Sequence, residues 1–247
     1  MGCLIAGHHH AVQGEQNAKY LFTKFQFKRL AKTQDSPKQI DWQVSPSDTV
    51  AVEFKQPTDF QRDVLDPDMR LEFEQFVAQS GGALVDFEVT KIMGVEAVRQ
   101  VCKFWHPAPK DMRKVYLGTL AFPFAEFCYI VRVQCIETGT TGLQEAAVSL
   151  IVSQGKPAPP ASEPIVVKSM EELFDRMKKA PVTRVLSDDE EYDAQFPDHP
   201  LTKARRYLKH LAETLVIDPA LQKAEPYRIR TATKPDNLVG KIPGSFR

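Results

Sequence analysis

Four successive runs rich in β-branched and aromatic residues constrain the fold of this 247-residue chain more than any other feature. They span residues 84–93, 95–105, 114–122 and 127–136. Only Gly94 separates the first two runs, and glycine readily takes the positive φ of a tight turn, so we expect these runs to pair as a hairpin. The third and fourth can pair around the connection that begins at Pro123. Four neighbouring strands in this order predict an antiparallel meander and not alternating β-α units.

Two shorter alternations predict further strands before the meander. Residues 24–28 alternate phenylalanine with polar residues, and residues 50–54 place Val50, Val52 and Phe54 on one side of a strand. Both patterns have the period of a half-buried antiparallel strand with one face in solvent. The sheet is therefore expected to have about five to six strands.

Helices are predicted before and after the meander. Asp66 as N-cap and Pro67 as the first helical residue begin one helix, which ends at Gly81 and Gly82. A turn at residues 138–142 then leads into residues 143–152, which fit either a helix or one more strand.

Later in the chain, Ser169 and Ser187 are each followed three residues on by glutamate, the signature of a capping box. Asp198 is a fourth candidate cap, for the helix that follows it. That helix has the longest amphipathic pattern, from Leu201 to Leu215, with apolar residues three and four positions apart.

These elements predict an α+β fold in which an antiparallel sheet packs with amphipathic helices and is followed by a C-terminal helical segment and an extended tail. We assign residues 1–16 to a flexible N-terminus, residues 17–218 to a single α+β domain, and residues 219–247 to an irregular basic tail. The proline-rich residues 154–164 form an extended linker inside the domain.

Charge is balanced over the chain but not along it. The 32 Lys and Arg residues equal the 32 Asp and Glu residues. Residues 1–32 hold five basic residues and one acidic residue, and residues 219–247 hold six and two, so the body between them is acidic. Basic ends can be solvated, fold back or reach an acidic partner. A neutral chain argues against a dedicated nucleic-acid binder, and strand alternation explains the aromatic and basic residues near the N-terminus.

Cysteine usage and hydropathy indicate the compartment. Cys102, Cys128 and Cys135 lie inside apolar runs and no CxxC pair is present, which fits a reducing, cytoplasmic location. No run is long enough to span a membrane. Gly2 and Cys3 resemble an acylation site, but Ala6 stands where serine or threonine is expected.

The densest set of reactive groups lies in residues 188–199. Its carboxylates, which we predict as binding residues, are Asp188, Asp189, Glu190, Glu191 and Asp193. Clustered carboxylates near an imidazole can bind a hard cation, or can raise the pKa of one member to make a general acid. Acidic residues in a first helical turn are equally favoured by the helix dipole. Because EF-hand and HEXXH spacings are absent, we predict no metal site.

Asp198 and His199 are the candidate catalytic residues. Prolines at 197 and 200 restrict the backbone on both sides of them. A fixed Asp-His pair is part of a hydrolytic arrangement, which also needs a nucleophile. No Gly-x-Ser-x-Gly elbow is present, the cysteines sit in predicted strands, and Ser187 is explained as a cap.

The strands around Gly94, Val95 and Ala97, with the later amphipathic helices, resemble the small α+β fold shared by the Ran-binding Mog protein and the photosystem PsbP subunit. The resemblance covers about residues 20–180 and rests on pattern. It implies a binding module without enzymatic activity, and bacterial proteins of similar layout include effector-neutralising immunity proteins. Residues 187–200 and the following helix have no counterpart in it.

Our leading hypothesis is an intracellular interaction module, of the adaptor or immunity type, whose sheet or acidic segment contacts another protein and which needs no cofactor. The alternative is a hydrolase or metal-dependent enzyme centred on residues 188–199. A third possibility is an adaptor anchored by lipid at its N-terminus.

Overall fold

The computed structural model describes residues 31–36, 38–56, 63–153 and 169–228. They form an α+β fold around one seven-stranded antiparallel sheet with the strand order β1-β2-β3-β7-β6-β5-β4. The strands are β1 (Ala31–Asp35), β2 (Gln39–Ser45), β3 (Asp48–Lys55), β4 (Ala83–Ile92), β5 (Val95–Trp105), β6 (Lys114–Pro123) and β7 (Cys128–Ile136).

The four apolar runs form the predicted meander, β4 to β7. Gly94 has a φ of 83° in the turn between β4 and β5, and Met93 beside it also has a positive φ, of 49°. The expected five to six strands become seven because β1 and β2 add a hairpin that the patterns did not predict. The strand predicted at residues 24–28 lies outside the described residues.

Five helices complete the described fold: α1 (Met69–Gln79), α2 (Leu143–Ser153), α3 (Met170–Lys179), α4 (Pro200–Thr214) and α5 (Pro219–Gln222). Residues 143–152, which fit either a helix or a strand, are therefore helical. Two 3-10 turns, Leu186–Asp188 and Glu190–Tyr192, precede α4. None of the described helices has the length and apolar character that crossing a membrane requires.

Three of the four helix starts differ from the sequence predictions. Ser169 caps α3 as expected, since its side chain accepts a hydrogen bond from the backbone N–H of Glu172. Helix α1 begins after Asp68 instead of Asp66, whose carboxylate accepts from the N–H of Asp68. Ser187 caps nothing, because it is buried inside the first 3-10 turn.

The fourth start is that of α4, where the cap is His199 and not Asp198. The imidazole of His199 accepts the backbone N–H of Leu201, and Pro200 is the first helical residue.

One face of the sheet packs against α4 and forms the main core. The apolar stripe of α4, with Leu201, Ala204, Leu208 and Leu211 buried, faces valines and aromatic residues of β3, β5, β6 and β7. Gly118 of β6 permits the close approach, because a Cβ there would lie 2.6 Å from Val133 and 2.9 Å from Leu208. The helix is thus fixed against the centre of the sheet.

The opposite face is partly covered by α1. Met69 and Val77 of this helix belong to two smaller clusters that include Cys102 and Cys128. These cysteines and Cys135 are buried and lie outside any disulfide among the described residues, as their apolar surroundings predicted. Burial raises the pKa of the Cys102 thiol to about 12, which makes it unreactive.

Residues 219–228, which we assigned to the irregular tail, are ordered against the sheet. Leu221 of α5 is buried in the main core. Pro226 forms an isolated bridge with Phe124, and the guanidinium of Arg228 binds both carboxylate oxygens of Glu96 at 2.7 Å.

Candidate functional site

Residues 188–199 do not form one acidic surface. The two 3-10 turns direct some of the carboxylates into the protein and leave others in solvent. No group of three or more His, Cys, Asp or Glu side chains in the described part of the chain is arranged to hold a metal ion.

Asp188 is turned inward and forms a buried ion pair with Lys103 of β5. The Lys103 Nζ lies 2.5 Å from Asp188 Oδ2, and the two side chains are 1% and 2% exposed. The same carboxylate oxygen accepts the backbone N–H of Val185 at 2.7 Å. Burial lowers the pKa of Lys103 against the opposing effect of Asp188. The pair fastens the 3-10 turn to the sheet.

Asp193 is held by α4. Its Oδ1 accepts hydrogen bonds from Arg205 Nη1 at 2.8 Å and from Thr202 Oγ1 at 3.0 Å. Arg205 also binds Asp86 of β4 through two of its nitrogens and donates to the backbone carbonyl of Asp188 at 2.6 Å. Burial raises the pKa of Asp193, and Arg205 and Thr202 oppose that rise. Arg205 therefore joins β4, the first 3-10 turn and α4.

The remaining carboxylates face outward. Asp189 pairs with Arg184 at 2.5 Å, while Glu190 and Glu191 are exposed. Asp198 is exposed as well, and the structure gives it no hydrogen bond to the neighbouring imidazole. The two candidate catalytic residues are thus adjacent in sequence but are not hydrogen-bonded to each other.

His199 points into the protein. Its Nδ1 accepts the N–H of Leu201 at 3.3 Å, and its ring meets the ring of Tyr116 edge-on with centroids 5.2 Å apart. Burial lowers the pKa of His199 to about 4, with Lys114, Lys103 and Arg205 acting in the same direction and Glu145 opposing them. The imidazole is therefore neutral at pH 7.

Around His199 lies a set of polar side chains from five parts of the fold, which we call the polar cluster: Lys103, Lys114, Tyr116, Glu145, Asp188, His199 and Arg205. Lys114 of β6 donates to Glu145 of α2. Burial acts to raise the pKa of Glu145, but the hydrogen bond and positive charge of Lys114 have the larger effect. The pKa of Glu145 is therefore below its ordinary value. Burial, with nearby Glu145, Glu137 and Asp188, raises the pKa of the Tyr116 hydroxyl.

The polar cluster has acids, bases and a hydroxyl but no activated nucleophile. A hydroxyl or thiol nucleophile needs a base within hydrogen-bond reach. Tyr116 is fully buried with a raised pKa, and the thiols of Cys102 and Cys135 likewise have pKa values raised to about 12 by burial. The arrangement fixes the 3-10 turns and α4 on the sheet.

Sequence reasoning missed the residues that complete this cluster. Lys103 lies in an apolar run 85 positions before Asp188, and Tyr116 lies in another. A lone lysine inside a predicted central strand was the available signal, because a buried charge requires a partner. A lysine inside such a strand shows that an acidic partner exists, but it does not identify that residue.

A second feature lies on α2, beside the 3-10 turns. Val148 and Gln144 face inward, and Gln144 Nε2 donates to the carbonyl of Ser187 at 3.0 Å. The outward side carries no charged residue. Its exposed members, which we call the α2 face, are Leu143, Ala146, Ser149, Leu150 and Ser153.

Comparisons with known proteins give distant matches among solved structures. No family model matches the chain, and no curated protein matches it. A solved structure of PA94 from Pseudomonas aeruginosa, described as a candidate regulator of unknown function, shares 13% identity and a TM-score of 0.29, covering 54% of this chain and 83% of that one. A point mutant of Mog1 shares 10% identity and a TM-score of 0.38, covering 76% and 85%.

The match to Mog1 agrees with the weak resemblance predicted from the strand pattern. Likeness at this level of identity concerns the fold alone. With TM-scores below 0.5, neither match carries an argument about function.

Proposed function

We propose that this protein binds another protein through the α2 face. The observation that carries the proposal is a charge-free face with two exposed leucines on an anchored helix. Leu143 is 65% exposed and Leu150 is 68% exposed. Positions 143, 146 and 150 follow the three and four spacing of a single helix face. Exposed apolar side chains grouped on one face are typical of interaction sites in soluble proteins.

The helix is held firmly enough to serve as a binding surface. Lys114 pairs with Glu145, Gln144 binds the carbonyl of Ser187, and Val148 is buried beneath. A preorganised surface loses little conformational entropy on binding. Less of the free energy gained from apolar contact is therefore offset, and affinity is higher.

The composition of the face indicates the chemistry of the partner. Ala146 and Ser149 are small and allow a partner backbone to approach closely, while Leu143 and Leu150 offer side chains for packing. Glu145 is the only charged residue of α2 and is already paired with Lys114. The face therefore offers no charge that would favour a positively or negatively charged partner. We therefore expect the apolar face of an amphipathic helix, bound with little dependence on salt.

Site-specific photo-crosslinking tests this proposal. A photoreactive phenylalanine analogue replaces Leu150 in the full chain, and irradiation is carried out in cells of the source organism. We expect one discrete heterologous adduct, whose formation in extract changes little between low salt and 0.5 M salt. Leu143→Glu on the same face should abolish it.

The matched control places the same analogue at Leu71 of α1, which is also exposed, at 55%. The same adduct from both positions, or none from position 150, would count against the α2 face. An adduct between two copies of this chain would show self-association instead.

The acidic segment provides a second test of the surface. We propose only a supporting role for its outward carboxylates, because Asp188 and Asp193 are engaged inside the protein. Glu190→Lys with Glu191→Lys should leave crosslinking at position 150 within about twofold of the wild type, as expected for charges at a rim. Loss of the adduct would show that the partner binds at the acidic segment and not at the α2 face.

An adaptor and an effector-neutralising immunity protein would both use such a contact. They differ in the partner: neutralisation requires that binding stops an activity of the captured protein, which an assay with purified components measures. Turnover of a substrate by the purified chain that is lost in Asp198→Ala and His199→Ala would favour the hydrolase alternative instead.

A further inference from the structure

Three buried polar atoms lie without a hydrogen-bond partner where β6, α2 and the start of α4 meet. They are Tyr116 Oη, Glu145 Oε2 and His199 Nε2, and no described residue binds any of them. Tyr116 is 0% exposed. The rings of Tyr116 and His199 are in contact, and the Glu145 carboxylate acts on both electrostatically. Because buried polar atoms are nearly always hydrogen-bonded, each of these three neighbouring groups requires a partner.

The hydrogen-bonding capacity of these atoms specifies that partner. Nδ1 of His199 accepts the N–H of Leu201, so the proton of the neutral ring is on Nε2, which is a donor. Glu145 Oε2 is an acceptor, since Oε1 of the same carboxylate is the atom bound to Lys114. The Tyr116 hydroxyl can donate or accept. The partner must therefore accept one hydrogen bond and donate at least one.

Charge excludes an ionic partner. Glu145 is already paired with Lys114, and Asp188 with Lys103. A cation would meet these two lysines, and an anion would meet the Glu145 carboxylate. Neutral molecules that accept and donate, with two to four polar neighbours, are what buried water sites hold.

We propose that Tyr116 Oη, Glu145 Oε2 and His199 Nε2 together bind one buried water molecule. The water accepts from His199 and donates to Glu145, and the Tyr116 hydroxyl is its third partner. The water thereby joins the middle of the sheet to α2 and to the cap of α4. It is a structural ligand that stabilises the fold.

A crystal structure of the full chain at a resolution that shows ordered solvent tests the site directly. We expect one solvent peak within about 2.6–3.2 Å of all three atoms. A direct hydrogen bond between any two of them, or no peak, would overturn the proposal.

The substitution Tyr116→Phe gives an independent test in solution, in which the direction of the effect decides. If the hydroxyl binds water, its removal raises the equilibrium constant for unfolding by about 2- to 12-fold. If the hydroxyl is unpaired, its removal leaves that constant unchanged or lowers it, which contradicts the proposal. Tyr207→Phe is the matched control, because Tyr207 Oη donates to Asp48 at 3.3 Å and its loss should raise the constant.

Discussion

At the residue scale, the ion pair between Lys103 and Asp188 is sensitive to the loss of either partner. Two charges removed from water are stabilised mainly by each other, so each side chain is costly to bury without its partner. The attachment of the first 3-10 turn to β5 depends on keeping both groups together.

We predict that Lys103→Met destabilises the protein by about 3–5 kcal/mol, because it leaves the Asp188 carboxylate buried and unpaired. Urea denaturation followed by circular dichroism measures the free energy of unfolding. The double variant Lys103→Met with Asp188→Asn, which removes both charges, should be more stable than the single variant. A double variant no more stable than the single one would mean that the packing of Lys103, and not its charge, is responsible.

His199 makes stability depend on pH. Its pKa of about 4 in the folded protein lies below its ordinary value of 6.5. Between these values the unfolded chain binds more protons than the folded one, so this group lowers stability as pH falls from about 6.5 to about 4.

We predict that His199→Asn removes this part of the pH dependence. Asparagine does not titrate and is itself a good N-cap, so the start of α4 is retained. The difference in unfolding free energy between the two proteins should shift by up to about 3 kcal/mol in favour of the variant between pH 7 and pH 4. A constant difference across this range would show that His199 titrates normally.

At the element scale, the contact between β6 and α4 determines where the main core is tightest. Gly118 and Leu208 meet there, and the missing Cβ of Gly118 is what allows α4 to lie so close. Gly118→Ala should destabilise the protein by about 1–3 kcal/mol through overpacking, and Leu208→Ala by about 2–5 kcal/mol through a cavity.

The two substitutions together should cost less than the sum of their separate effects, because Leu208→Ala removes atoms that the new Cβ meets. A double-mutant cycle by urea denaturation measures the coupling. Leu211→Ala is the control, since Leu211 is buried on the same helix but is not among the nearest atoms to Gly118. Equal coupling for Leu208 and Leu211 would contradict this account of the contact.

Elements with a strong local period were predictable, and contacts between distant residues were not. The runs of β4 to β7 and the stripe of α4 have patterns that their burial requires, and both predictions were confirmed. The direction of Asp188 was not predictable, because it depends on Lys103 far away in the chain. The failure at Ser187 has a local cause: a 3-10 turn buries the residue that a capping box would expose.

At the scale of the whole molecule, the end of the described chain contributes to the core of the domain. Leu221 is 3% exposed, Pro226 bridges to Phe124, and Arg228 binds Glu96. These contacts join residues 219–228 to both the core and the end of the β6 strand.

We predict that a chain ending at residue 228 retains more stability than one ending at residue 218. Losing the burial of Leu221 alone corresponds to about 1.5–3 kcal/mol. Thermal and urea denaturation of the two truncated chains measure the difference. Equal stability would mean that α5 and the bridge at Pro226 contribute nothing.

The pairing of β3 with β7 also has a consequence for synthesis. Strands β1 to β3 are made about 70 residues before β7, which at roughly 5–20 residues per second is a delay of several seconds. During that time the hydrogen-bonding edge of β3, with Val50 and Val52 in its apolar face, has no neighbour from the meander. Until β7 is made, this strand edge can pair with the edge of another chain, which is the hazard that an unpaired edge presents.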